Sequence, residues 1–425
     1  MLYLADNRLT DLPSRLAQLR SLEVLDLSRN RMSNIPSTSS INQLPNLHFL
    51  KLTKNPLRSL RGISVRSLVS LEADNCEISG VDHLIFDSLP SLRTLNVTGN
   101  PLKFIDHLVS ENLTELVLKD CQLMDIPAET FDGLPNLQNL DLCGNQLKTL
   151  PNEIFLHNMK LVYLSLSNNT LERIKNSWFE EKPNLQKLDL SENEITSIEE
   201  AVFAKLFVLS ELNLGGNRVR ALPNLKTSAI NVNLAKNSIE NRRLWDLSDM
   251  AKVRKLDLSK NRFDGDCDEF KSVSLRILDL GFNNMTRVKR NSFSKVPSLT
   301  DLSLKGNKIS HGADLVFDDA TILVDIELDD NPWHCNCSDL LPLYTWLQRG
   351  QRAALTSLIC FTPKRAKGNT WWEFCSEEWK DLLKSNSSTD SSKIWLIIVS
   401  IAFGLCLVIA SFVYIIYTCK KNNSS

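Results

Sequence analysis

The sequence predicts an α/β solenoid of about fifteen coils, with a parallel β-sheet on its concave face, a disulfide-bonded C-terminal cap and one transmembrane α-helix. Three observations predict this. One pattern of leucines and an asparagine recurs from the first residues to Asn331. Four of the ten cysteines, Cys335, Cys337, Cys360 and Cys375, crowd together just beyond it. The run from Ile394 to Tyr417 carries no charge. A chain of 425 residues is too long for a single compact core, yet natural for a repeat array with an anchor. Its net charge of −1 leaves no footprint for a nucleic acid or an anionic membrane surface as partner.

The repeat reads L-x-x-L-x-L-x-x-N-x-L. It is spelled LEVLDLSRNRM from Leu22, LQNLDLCGNQL from Leu137, LQKLDLSENEI from Leu185 and LTDLSLKGNKI from Leu299. Its ninth position falls on Asn7, Asn30, Asn55, Cys76, Asn100, Cys121, Asn145, Asn169, Asn193, Asn217, Asn237, Asn261, Asn283, Asn307 and Asn331, at spacings of 20 to 25 residues. Each coil should lay one short strand beside the last, about 4.8 Å away. The L-x-L alternation sends leucines such as Leu140 and Leu142 inward and their neighbours outward. An asparagine amide both donates and accepts, so stacked amides satisfy backbone groups that are costly to bury bare. Cys76 and Cys121 offer a small, weak donor in the same slot. Phe86, Phe131, Phe155, Phe179, Phe203, Phe293 and Phe317 each lie ten residues after the slot and should form an aromatic column under the convex side. Between Arg218 and Gly281 one coil shrinks to 20 residues and three successive coils lack the phenylalanine, which predicts a local change of curvature. The chain resembles the leucine-rich repeat family over residues 1–331.

Beyond Asn331 the chain reads NPWHCNCSDLLPLYTWLQ, then LICFTP, then WWEFC. From residues alone, four cysteines allow three pairings, and a zinc site is a rival reading. The segment 332–376 resembles the C-terminal cysteine cap of extracellular leucine-rich repeat proteins. That resemblance implies the pairs Cys335–Cys360 and Cys337–Cys375, each stabilising the cap by about 3 kcal/mol. A polar stalk, 377–393, leads to the span 394–417. At 1.5 Å per residue the span reaches about 36 Å, enough to cross a core of roughly 30 Å. Trp395, Tyr414 and Tyr417 lie near its ends as interfacial aromatics. The tail 418–425 is too short for a signalling domain. It carries Cys419 beside two lysines, a candidate for acylation.

Lysines flank the span on both sides and do not orient it. The cysteine cluster and the sequons at Asn96, Asn112, Asn168, Asn284, Asn336 and Asn386 favour a single-pass type I protein of the plasma membrane, with the repeats extracellular. That topology calls for an export signal. None precedes Met1, which falls in mid-coil, so the sequence is expected to be N-terminally incomplete.

No catalytic set is present: there is no H-E-x-x-H, no G-x-S-x-G and no phosphate-cradling glycine loop. Nor is there a cofactor motif. His83 and His107, with Asp82 and Asp106, should stack in neighbouring coils. They form either a metal set or, more simply, a solvated convex pair. The outward strand positions are the stronger candidate for function. One column reads Tyr3, Asp26, Lys51, Glu72, Asn96, Val117, Asp141, Ser165, Asp189, Asn213, Asn233, Asp257, Asp279, Ser303 and Glu327: seven acids against one base. The next adds Phe49, Glu115, Tyr163, Glu211, Asp301 and Asp325. Phe49, Asp141, Tyr163, Asp189, Glu211, Asp257 and Asp279 are the candidate ligand contacts, suited to a basic protein partner with Phe49 and Tyr163 as aromatic anchors. Leu-Asp-Leu-Ser is also the commonest spelling of the repeat, so the acidic column has a scaffold reading too. Cys143 and Cys267 have no evident partner; they pair between chains, giving a dimer, or stay as thiols.

These features point to a surface protein, not an enzyme, that binds a protein ligand or co-receptor and needs no cofactor. It resembles the broad class of Toll-like ectodomains, chaoptin- and connectin-like adhesion proteins and neuronal repeat receptors. Cell adhesion, and a tail-anchored cytosolic scaffold, are the alternatives.

Overall fold

The computed structural model describes residues 1–381 apart from 222–224, 241–243, 268, 290, 313–314, 316–321 and 350–357. Phe317, Asn386, Cys419 and the whole span 394–417 therefore lie outside the described residues. Among those described, no helix is long and apolar enough to cross a membrane.

Leucines at alternate positions cannot all be buried by a lone strand, and the chain solves this by stacking. Fifteen short strands, from Leu2–Tyr3 to Asp325–Glu327, form one parallel sheet in unbroken chain order. Registry is one to one: Leu116 faces Leu140, which faces Leu164, which faces Leu188. The inward leucines of these strands are buried, Leu140 and Leu142 completely.

After each strand the backbone makes one left-handed step, then meets the ladder residue. Residues such as Arg29, Lys54, Asp120 and Glu192 hold φ between 51° and 58° there, and Gly144 holds 71°. A Cβ on Gly144 would meet the Asp120 carboxylate, so a larger residue there would have to turn that side chain aside as well as hold the left-handed φ. The ladder itself is regular. The Asn169 amide nitrogen donates to the carbonyls of Leu142 (3.0 Å) and Leu166 (3.1 Å), and its oxygen accepts from Leu147 N (3.0 Å). Cys121 reproduces only half of this. Its Sγ donates to Val97 O at 3.3 Å, but no acceptor replaces the amide oxygen. Leu102 N turns instead to the Asn100 and Cys121 carbonyls, at 2.9 and 3.2 Å.

A second ladder runs along the edge where the chain enters each strand. Asn46, Asn112, Asn136 and Asn184 donate to carbonyls of the preceding coil at 2.7 to 3.1 Å. Val208 takes the same position, and with Phe207 it stands exposed.

The aromatic column exists in segments. Phe131 stacks on Phe155 with centroids 6.0 Å apart, and Phe179 lies 6.1 Å from Phe203. In the irregular stretch Thr227 and Leu247 fill the phenylalanine position. Phe270, one residue out of phase, then restores the column against Phe293 at 5.6 Å. The concave register passes through the short coil unshifted, with Asn231–Asn233 pairing both neighbouring strands. The convex side absorbs the change in length.

A first compact unit comprises Met1–Ile309 and Phe317–Asn331; a second comprises Ser310–Val316 and the chain from Pro332. The second is the cysteine module. Cys335 is bonded to Cys360 and Cys337 to Cys375, the pairing implied by resemblance, so no thiolate remains for zinc. A helix Cys337–Arg349 and a helical segment 371–381 pack through Tyr344 and Trp379, whose rings lie 4.1 Å apart. Trp379 is fully buried and donates to Cys337 O at 2.7 Å. The helical segment thus extends, with the buried Trp379, into residues 377–393.

Candidate ligand-binding face

The outward strand positions lie side by side as the spacing requires. Asp141 pairs in register with Ser165, Ser165 with Asp189, Asn233 with Asp257 and Asp257 with Asp279. The acidic residues share a local job that alternation does not reveal. One oxygen of each aspartate turns back on its own chain and accepts the amide two residues on: Asp141 from Cys143 N, Asp189 from Ser191 N, Asp257 from Ser259 N and Asp279 from Gly281 N, all at 2.8 to 2.9 Å. This Asx turn ends the strand and starts the left-handed step. It accounts for one oxygen of each carboxylate; the turn leaves the other unused.

Charge balance differs along the face. In the early and middle coils Lys51 neutralises Glu72 (2.8 Å) and Lys187 neutralises Glu211 (3.0 Å). From Asp257 onward it does not. Among the described residues Asp257, Asp279, Asp301, Asp325 and Glu327 form no ion pair. Asp279 is half-buried, and its carboxyl is pushed above the ordinary range by burial, with Asp257 and Glu327 adding to the effect. Two shallow adjoining grooves mark this stretch, of about 310 and 240 Å³. Glu211 and Asp257 line the first; Asp257, Asp279, Asp301, Asp325 and Glu327 line the second; Lys255 is common to both. The sheet thus brings Glu211, Asp257 and Asp279 together. Tyr163 lies apart, half-buried between the strands of Asp141 and Asp189, its hydroxyl pushed up by burial. Phe49 is five strands further off and 47% exposed. Lys255, the one base in the grooves, went unread in the sequence, although counting the position beside each acidic residue finds it.

The convex histidines do not converge on a metal. Asp82 is buried and receives the Arg61 guanidinium, while His107 Nδ1 contacts Glu129 O at 2.6 Å. Among the described residues no three potential ligands gather. Cys143 is half-buried, with its thiol pushed up by burial, and Cys267 is 2% exposed. Of the sequons, Asn112, Asn168, Asn284 and Asn336 are exposed, and Asn96 is half-buried on the concave face.

Comparison with known proteins bears on the fold. Trophoblast glycoprotein of Macaca fascicularis is 30% identical over 151 residues, covering 35% of this chain and 34% of that protein. SLIT and NTRK-like protein 6 of Mus musculus is 36% identical over 67 residues, covering 15% of this chain and 8% of that protein. The chain thus spans far less than two thirds of these relatives. Among solved structures, the TLR13–ssRNA13 complex matches with a TM-score of 0.66 and 26% identity, covering 84% of this chain and 51% of that one. The glycosylated Toll–Spatzle complex of Drosophila matches with a TM-score of 0.66 and 20% identity, covering 86% and 53%. The leucine-rich repeat family model matches residues 1–57, 111–171, 159–219 and 273–332, more than half of the sequence. The chain belongs to the leucine-rich repeat family.

Proposed function

We propose that this chain is the ectodomain and anchor of a single-pass cell-surface protein that binds a basic protein ligand or co-receptor through its concave face. The observation that carries the reading is the run of carboxylates from Asp257 to Glu327, which the fold lines up without an ion pair and with Lys255 as the one base lining their grooves. A site of one sign steers and orients a partner of the other. The disulfide module supports an oxidising compartment. The uncharged stretch 394–417 supports an anchor. The similar TLR13 structure is a complex with single-stranded RNA, but an acidic face repels phosphates, which favours a protein partner here.

The Asx turns supply a clean test. Asn96 and Asn213 already make the same turn through an amide oxygen, at 3.0 and 3.1 Å. The quadruple variant Asp141→Asn, Asp189→Asn, Asp257→Asn, Asp279→Asn, combined with Ser191→Gly and Ser259→Gly so that no Asn-Leu-Ser sequon arises, should therefore fold normally while shedding four charges; Gly215 and Gly281 already hold that position in their coils. Wild-type and variant ectodomain multimers would be screened against a library of cell-surface and secreted proteins. The expected partner binds the wild type, weakens with salt and loses at least about tenfold in affinity to the variant. Hits that bind both forms equally would overturn the concave-face reading.

A further inference from the structure

The cysteine module contains a cleft that the binding face does not use. It has a volume of about 470 Å³, and its wall includes Asn336, Pro363, Arg365, Phe374, Glu377 and Glu378. A volume in the range of roughly 300–1,000 Å³ suits a small organic ligand. One lining residue, Asn336, is also the acceptor of a sequon, Asn336-Cys337-Ser338. The site for attaching a sugar and the space able to hold one therefore coincide.

We propose that the innermost sugars of an N-glycan on Asn336 dock into this cleft, beside the buried Cys337–Cys375 bridge. The inference rests on the export reading above.

The amide is already aimed. Asn336 Nδ2 donates to Asp339 Oδ2 at 3.0 Å, and its Oδ1 accepts from Ser338 Oγ at 2.9 Å. Attachment forms a bond from Nδ2 to the anomeric carbon of the sugar and breaks the sugar–phosphate bond of a lipid diphosphate donor. One amide proton leaves; the other remains to keep the bond to Asp339. The linkage is then held at both ends of the amide, so a first N-acetylglucosamine leaves in one direction rather than swinging freely. That reduces the entropy lost on docking.

The wall matches such a sugar. Phe374 is half-buried and offers a ring to the apolar face of a pyranose, with the Arg365 guanidinium centred 5.7 Å from that ring. Glu377 and Glu378 are exposed acceptors for hydroxyl and amide hydrogens. Cys337 and Cys375 tie the two helical segments together beside the cleft, so a docked sugar would brace the same joint as the bridge.

The test uses the full chain expressed through the secretory pathway and purified in detergent. Native treatment with a peptide N-glycosidase, followed by mass spectrometry, gives the release rate at each sequon. Asn336 should release its glycan at least about tenfold more slowly than Asn168 and Asn284, which are simply exposed. Once released, amide exchange across residues 363–378 should rise severalfold, with the repeats unchanged. Phe374→Ala should bring release at Asn336 level with the others; because that variant could also loosen the cap, the wild-type rates decide. Equal release at all three sites with unchanged exchange, or sugar on Asn168 and Asn284 but not on Asn336, overturns the docking alone. No sugar at any sequon removes the export reading and the docking together.

Discussion

Lys182 shows how single residues bend the rule of the repeat. It occupies a position filled by Leu134 and Leu206 in nearby coils, and it is 2% exposed. Its ammonium donates to the carbonyls of Glu180 (2.7 Å) and Glu181 (3.4 Å), and burial lowers its pKa to about 8. A lysine whose folded pKa is depressed binds fewer protons when folded than when unfolded. Stability therefore rises with pH from about 8 to the unfolded value near 10.5. Lys182→Met should remove that rise. It should also stabilise the protein at pH 7 by about 1 kcal/mol, since replacing a buried charge with an apolar group of similar size is neutral or better. Denaturant titrations at pH 7 and pH 10 would check both: a variant gain at pH 7 that shrinks at pH 10 is expected, and a loss at pH 7 would refute it.

At the scale of the element, the ladder is where sequence reading succeeds and also where it stops short. The ninth-position asparagines are legible because one side chain does the same double duty in coil after coil. The edge ladder of Asn46, Asn112, Asn136 and Asn184 is not: each stands nine residues before its slot, but other coils carry residues such as Val208 there, so no repeating letter marks the position. Phe270 breaks the pattern differently: it stands nine residues after Asn261 rather than ten, because the convex segment is one residue shorter there. The Asx turns escaped because alternation says which way a residue points, not that its carboxylate curls back. The grooves are half legible: Asp257, Asp279 and Glu327 share one outward column, whereas Lys255 stands in the next, which mixes acids, bases and aromatics. Cys121 gives the element-level prediction. Cys121→Asn should restore the missing acceptor for Leu102 N and stabilise the fold by roughly 1 kcal/mol, the net worth of one backbone-type hydrogen bond. Urea unfolding of the two forms would measure it, and an unchanged midpoint would mean that the carbonyls of Asn100 and Cys121 already serve Leu102 N fully.

At the scale of the molecule, each coil contacts mainly its neighbours, so damage should travel only a short way. Leu140 is completely buried and lies in register between Leu116 and Leu164. Leu140→Ala should cost about 2–5 kcal/mol locally. Hydrogen exchange should quicken in its own coil and in the two beside it, while the strand Asp301–Ser303 keeps its protection. Uniform loss of protection along the array would show instead that the coils melt as one body.

The backward-curling aspartates have a consequence for how such a protein changes over time. Asn233 makes the same turn as Asp257, bonding Ala235 N at 2.9 Å, yet carries no charge. Swapping one amino acid for the other alters the electrostatic message of the face and leaves its scaffolding alone. Partner preference can therefore drift by single steps, each nearly invisible to folding, in a lineage that never has to reinvent its architecture.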